Sequence, residues 1–293
     1  MQKNSKKLLL GRNAQLTAFY ILCSILGFFP NKKHSIIFAM AYFIENLKNN
    51  FDFFLRNPLS RKNYYEEPED LSNVFENEDE KDYYEDLKEK YGCELAKNTT
   101  VRRFLEDIYF LYVFDKCLCK TQKDKISVLD IGSKNWSYVK SEHVFFNSFC
   151  KDVCLNGIEL DAYRLLSNFY TRCEVAKFYT KNLKNTHYIA SDLMLHSGKY
   201  DYIIWILPFI TKYPLVKWGL PLRYFKPLEM LEYAYNLLNQ NGELLIINQG
   251  EEEYKIQQEL YKNLNLSPIL YDEIQDKFDL FKNKRYCSKI VKQ

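Results

Sequence analysis

Apolar and polar positions divide the chain into three stretches that follow different rules. Residues 13–31 carry no charge and centre on an apolar run at 16–29, and a second apolar run covers 35–44 after Lys32 and Lys33. A membrane-spanning helix needs about 20 predominantly apolar residues, a length the first segment reaches only if Asn13, Gln15 and Asn31 are counted. Three readings stay open for it: core helices of a small cap, an interfacial anchor whose Lys and Arg face anionic lipid, or a true span. The lysines after Met1 resemble a signal-peptide n-region, but Pro30-Asn-Lys-Lys offers no small-residue cleavage site. Residues 63–100 are strongly polar, and we expect an acidic linker and an exposed helix there. From 101 to 117, Phe104, Leu105, Ile108, Tyr109, Leu111 and Tyr112 recur at helical spacing behind the candidate cap Asn98-Thr-Thr.

From Lys125 onward strand and helix patterns alternate. Short apolar runs at 126–130, 153–161, 187–192, 200–207 and 243–249 read as strands, with helical patterns after the first, second, fourth and fifth. The run at 200–207 is apolar almost throughout, as a strand buried on both faces requires. Asn239-Gln-Asn-Gly242 reads as a helix stop and turn. Two more strands, 267–274 and 285–291, have no helix between them, so an antiparallel pair closes a mostly parallel sheet. The expected fold is α/β and Rossmann-like: a seven-stranded sheet with an antiparallel last strand, plus an N-terminal helical region. The expected organisation is 1–62 (helical and apolar), 63–100 (acidic) and 101–293 (main domain).

Composition sharpens this only in places. Of 293 residues, 47% are apolar and 16% aromatic, which excludes a disordered chain. The net charge of +3 hides an asymmetry: residues 1–62 hold 10 Lys or Arg against Glu45 and Asp52, whereas 63–90 hold 12 acids against 3 lysines. The basic residues are scattered between apolar runs with no base-stacking motif, so no nucleic-acid partner is expected. Peripheral membrane contact through 1–62 is a possible use of that charge. The 8 cysteines include no CxxC pair. His143, Cys150 and Cys154 could share a helix face, but structural zinc usually draws ligand pairs from two elements, so we expect no metal. Reduced thiols suit a cytoplasmic protein, with membrane association left open.

Ligands of parallel sheets bind beyond the carboxyl ends of the strands, at the topological switch point. That places Asp130, Gly132, Ser133, Glu159, Asp161, Asp192, Ile206 and the 249–251 turn on one rim. At these residues the chain from about 101 to 293 resembles the class I S-adenosylmethionine-dependent methyltransferases, whose element order, including the final strand pair, it shares. The resemblance implies S-adenosyl-L-methionine as cofactor. It places Asp130 and Gly132 beside the methionine part, Glu159 of Gly157-Ile-Glu on the ribose hydroxyls and Asp192 near the adenine amino group. Ser133 and Ile206 complete the expected cofactor set. A carboxylate can accept from two vicinal hydroxyls, and a loop glycine lets backbone approach a ligand closely. The family commonly has three alternate glycines in the first loop; here the second and third positions are Lys134 and Trp136. Asp161 reads as the cap of the following helix, and Asp201 as structural. A nicotinamide dinucleotide fold is disfavoured, because the later glycines of GxGxxG are absent and Asp130 would repel a pyrophosphate.

The acceptor is less legible. Ile206-Leu-Pro208-Phe209 lacks the polar residue that would hold an amide nitrogen, which disfavours nucleobase or glutamine methylation by analogy with related enzymes. Four of the 8 prolines fall between Pro208 and Pro227, so this segment reads as a stiff substrate-pocket wall. Trp136, Trp218 and Arg223 are candidate pocket residues. Candidates for a base or orienting group are Gln249, Glu251 and His143. The expected activity is methyl transfer to an oxygen or nitrogen of a small molecule or glycan. The alternative is a catalytically silent S-adenosylmethionine fold that binds a partner or membrane surface through its N-terminal third.

Overall fold

The structure, a computed structural model, describes residues 33–56, 63–92 and 94–293. Seven strands form one sheet: β1 (Lys125–Ile131), β2 (Asp152–Glu159), β3 (Thr186–Ala190), β4 (Tyr200–Ile206), β5 (Leu238–Gln249), β6 (Ile269–Ile274) and β7 (Arg285–Val291). Their spatial order is β3-β2-β1-β4-β5-β7-β6. The first five run parallel, and β7 enters antiparallel between β5 and β6. The order reverses between β1 and β4, so the switch point lies over their carboxyl ends.

Strand alternation divides the core into two layers. Ile126, Val128, Leu155, Tyr202, Ile204, Leu245 and Ile247 face one side, where α3 (Val101–Cys117), α4 (Val139–Asn147) and α5 (Arg172–Thr180) pack. Leu129, Ile131, Ile203, Trp205, Leu244 and Ile246 face the other, covered by α7 (Pro227–Leu237) and α8 (Gly250–Asn263). Parity alone sets this, because successive side chains on a strand point to opposite faces.

The expected helix at 101–117 forms, with the Thr100 side chain capping the Arg103 amide. Two local expectations change. The helix after β2 does not begin at Asp161: residues 160–170 form a connecting segment, and α5 starts behind a Thr171/Glu174 capping box. Asn239–Gly242 does not end the segment as a turn but belongs to β5, where the register shifts against β4 between Tyr200 and Tyr202. Gly242 is required there, because a Cβ would stand 2.9 Å from the Asn239 carbonyl and 3.0 Å from that of Tyr200.

Ahead of the sheet lie α1 (Lys33–Leu55) and α2 (Glu78–Tyr91). Tyr84 and Leu87 of α2 are buried in the α3 layer, and Glu66 accepts from Arg103 at 2.9 Å, so the acidic stretch is tied to α3 by packing as well as by charge. α1 rests on the proline-rich segment that holds α6 (Lys212–Lys217). Asn49, 3% exposed, donates to the Val216 carbonyl at 2.8 Å, and Asn46 accepts from the Leu222 amide at 2.8 Å. Among the described residues no helix is long and apolar enough to cross a membrane; the run at 16–29 lies outside them.

Candidate active site

A cavity of about 370 Å³ opens over the carboxyl ends of β1, β2 and β4. Its volume falls within the usual range for small-molecule sites. Gly132, Glu159, Asp192, Ile206, Trp218 and Arg223 line it, together with Lys134, Asp161 and residues of the proline-rich segment. Asp130, Ser133, Trp136, His143, Gln249 and Glu251 do not.

The loop after β1 shapes one wall. Gly132, Lys134 and Trp136 all have positive φ, at 70°, 55° and 51°. The alternation that three glycines would satisfy without cost is therefore kept by a lysine and a tryptophan, at about 1–2 kcal/mol for each non-glycine residue. Specific contacts offset that cost. The Lys134 amide donates to Glu159 Oε2 at 2.8 Å, and its carbonyl accepts from the Tyr188 hydroxyl. The Trp136 amide donates to the Ser133 carbonyl at 2.7 Å, and its indole Nε1 to Glu142 Oε2 at 3.0 Å. Ser133 is buried with its own amide turned to the Ile158 carbonyl.

Trp136 is a core side chain instead of a pocket wall: it is fully buried and its ring lies against Gly157, where an added Cβ would stand 2.7 Å from the indole. Asp130 occupies the same layer for a reason of parity. Its neighbour Ile131 faces the cavity side, so Asp130 faces away, beneath α4, toward Glu142 and Tyr138. Neither Asp130 oxygen meets the geometry of a hydrogen bond to any donor. Two buried carboxyls can share such a space only with a proton between them. Burial pushes Asp130 up to about 7, and burial with the adjacent Asp130 charge raises Glu142 well above the ordinary range.

Asp107 on α3, also fully buried, is likewise pushed up to about 7 by burial. For both aspartates the folded value lies above the ordinary 3.8, so the native chain keeps protons that the unfolded chain releases. The contribution of these two aspartates is expected to fall as pH rises from about 4 to about 7, each by at most about 1.4 kcal/mol per pH unit, and Glu142, also raised, continues the decline above that. Urea unfolding across this window checks the sign. Asp130→Asn should flatten the slope, and an unchanged slope would remove Asp130 from the account.

Glu159 ends β2, 5% exposed, with a crowded carboxylate. Oε1 accepts from the Asp161 amide at 2.7 Å and from Arg172 at 3.1 Å, and Oε2 from the Lys134 amide. Asp161 is no helix cap: it ion-pairs with Arg56 at the end of α1, with Arg164 at 3.3 Å and with Arg172 at 3.7 Å. Arg56 also donates to the Gly219 carbonyl at 3.2 Å. Sequence reading missed this arginine cluster, whose members come from separate segments and share no local motif. Asp192 caps the short 3-10 turn Leu193–Leu195, with Oδ1 accepting from the Met194 amide at 3.0 Å. Its second oxygen is committed to no contact of that cap.

The candidate bases lie elsewhere. Gln249 accepts from Arg285 at 3.0 Å, and Glu251 pairs with Lys255 at 2.6 Å on the exposed first turn of α8. His143 lies on α4, where burial holds its imidazole below the ordinary value. Among the described residues, no histidine or cysteine lines the cavity, and none of the His, Cys, Asp and Glu groupings could hold a metal.

No protein-family model matches the chain, and no curated protein matches it. Solved structures do overlap it. A methyltransferase from Pyrococcus furiosus is 19% identical over 64% of this chain and 82% of its own, with a TM-score of 0.44. A SAM-dependent methyltransferase from Aquifex aeolicus is 15% identical over 64% and 88%, with a TM-score of 0.41. Magnesium protoporphyrin IX methyltransferase from Synechocystis, solved with bound SAM, is 12% identical over 86% and 96%, with a TM-score of 0.42.

Proposed function

We propose that the protein is an S-adenosylmethionine-dependent methyltransferase acting on an oxygen or nitrogen of a small molecule or glycan. One observation carries the reading. The cavity at the β1/β4 switch point is lined together by Gly132, Glu159 and Asp192, the residues that the sequence resemblance assigns to the cofactor.

The residues fit that cofactor. The space a Cβ at Gly132 would enter is open, with nothing within 4 Å, so a ligand can approach the backbone there. A carboxylate offers about four acceptor positions, and Glu159 has committed three, to two amides and Arg172. One position is left for a ribose hydroxyl. Asp192 can accept from an exocyclic amine through the oxygen its cap does not use. Ile158, Leu193 and Ile206 present apolar surface to the cavity and exclude water from a bound ring.

When bound, the cofactor supplies a methyl group activated on a sulfonium. The chain's part is to hold the acceptor in line with it, which by itself lowers the barrier through lost translational and rotational freedom. The wall from Pro208 to Lys226, stiffened by prolines and braced by α1, is built to do that. Calorimetric titration with S-adenosylmethionine tests the reading; absence of heat at any accessible concentration would end it.

A second reading, association with a membrane or partner surface, is favoured by one face of α1. Phe43, Leu47, Phe51 and Phe54 are 54–83% exposed and recur at helical spacing. Changing Leu47, Phe51 and Phe54 to serine is expected to reduce co-sedimentation with anionic vesicles at least several-fold. Equal sedimentation of variant and parent would remove α1 as an anchor.

A further inference from the structure

Ion-pair accounting around the cavity leaves positive charge over. Glu159 and Asp161 are both matched, by Arg172, Arg164 and Arg56. Three other lining cations, Lys134, Arg223 and Lys226, have no carboxylate within salt-bridge distance among the described residues. The remaining lining acid, Asp192, is engaged as a cap.

The three cations are held in different ways. The Lys134 ammonium projects over the Trp218 indole at 4.8 Å, and the Arg172 guanidinium lies over the same ring at 5.8 Å. Lys134 is thereby placed near a second cation with no carboxylate at salt-bridge distance among the described residues; burial, and then Arg172, hold its ammonium below the ordinary value against the more distant Glu159. Arg223 is braced by the Asn50 side-chain oxygen and lies over the Tyr224 ring at 4.8 Å. Lys226 is exposed, two residues beyond the short 3-10 turn Leu222–Tyr224 that carries Arg223. Uncompensated cations that converge on a concave, partly desolvated site attract an anion more strongly than the same charges in open solvent.

Resting on the methyltransferase reading, we propose that the acceptor carries an oxyanion, a carboxylate or phosphate, which Arg223 and Lys226 bind on the acceptor wall while Lys134 faces it across Trp218. Arg223 offers a planar fork suited to two oxygens, and Lys226 a mobile point charge at the mouth. Trp218, 42% exposed and lining the cavity, gives the adjoining part of the acceptor a flat apolar face.

The test uses the full chain and four probes titrated separately: benzoate, phenyl phosphate, benzyl alcohol and S-adenosylhomocysteine. Benzoate or phenyl phosphate is expected to bind at low salt and to weaken as salt rises, with benzyl alcohol at least tenfold weaker. The stronger of the two anions identifies which oxyanion the site takes. Lys226→Gln, a change at an exposed side chain, should weaken the bound anion at least fivefold. It should leave S-adenosylhomocysteine affinity and the melting temperature unchanged. Arg223→Gln should act in the same direction, with the melting temperature reporting any loosening of α1. Equal binding of benzyl alcohol and the anions, or anion binding indifferent to Lys226→Gln, overturns the proposal. So does a parallel loss of S-adenosylhomocysteine affinity in Lys226→Gln, because the cation would then serve the cofactor. Anion binding without S-adenosylhomocysteine binding would instead overturn the methyltransferase reading and leave the oxyanion site standing.

Discussion

Glu159→Ala is expected to weaken S-adenosylmethionine by about 100-fold or more and to destabilise the fold by about 3–5 kcal/mol. Both effects have one origin. The carboxylate is the charge partner of Arg172, and the two side chains are each 7% exposed, so removing it leaves a buried guanidinium whose remaining ion-pair partner among the described residues is Asp161 at 3.7 Å. Breaking a buried pair from one side has the cost quoted, since the survivor stays desolvated and unpaired. The Lys134 and Asp161 amides lose their acceptor as well, so the loop after β1 and the start of the segment after β2 come loose together. Loss of the one charge-assisted hydrogen bond to ribose, at about 1.5–3 kcal/mol, together with the loosened loop that would approach the ligand, accounts for the affinity change. Glu159→Gln separates the two effects. The amide oxygen keeps one acceptor and the shape, so the melting temperature should recover in part while cofactor affinity stays low. Full cofactor affinity in a folded Glu159→Gln protein would show that the ribose contact is made elsewhere.

Trp136→Ala is expected to lower stability by about 3–5 kcal/mol, the range for a large aromatic removed from a core. The indole is fully buried, packs on Gly157 and donates to Glu142. Its loss leaves a cavity between loop and sheet and takes the indole donor from a carboxylate already crowded by Asp130. Trp136→Gly should recover about 1 kcal/mol of that loss, because glycine accepts the positive φ at this position without the strain alanine feels. Chemical denaturation of the two variants measures the difference directly. Equal stability would mean that the φ of 51° carries no measurable strain.

The same loop shows how far the sequence could be read. Gly132, Glu159 and Asp192 were legible as one rim because each follows an apolar run, and the carboxyl ends of parallel strands all emerge on one side of the sheet. Asp130 stood at the same kind of position, yet it faces the opposite layer. A one-residue change of parity moves a side chain from the cavity to the core, and an apolar run without polar alternation does not reveal its parity. Trp136 was equally hard to place: an exposed wall and a core plug are both apolar demands, and only the Gly157 hollow beneath it distinguishes them. Lys134 was visible as a departure from the glycine pattern, whereas its companions Arg223 and Lys226 became a cationic group only when the wall folded over the sheet.

The sequence by itself determined the strand sequence, the parallel run with its antiparallel close, the helix cap at Thr100, and the rim where a ligand can sit. All of these follow from local periodicity and from rules of chain connection. Tertiary structure alone decided that α1 braces the proline-rich cavity wall, that Arg56 reaches Asp161 across 105 positions, that Glu159 has one acceptor position to spare, and that the cavity holds more cations than acids. Each of those depends on charges and hydrogen bonds between segments far apart in the chain, where burial sets the strength of the interaction and no spacing in the sequence records it.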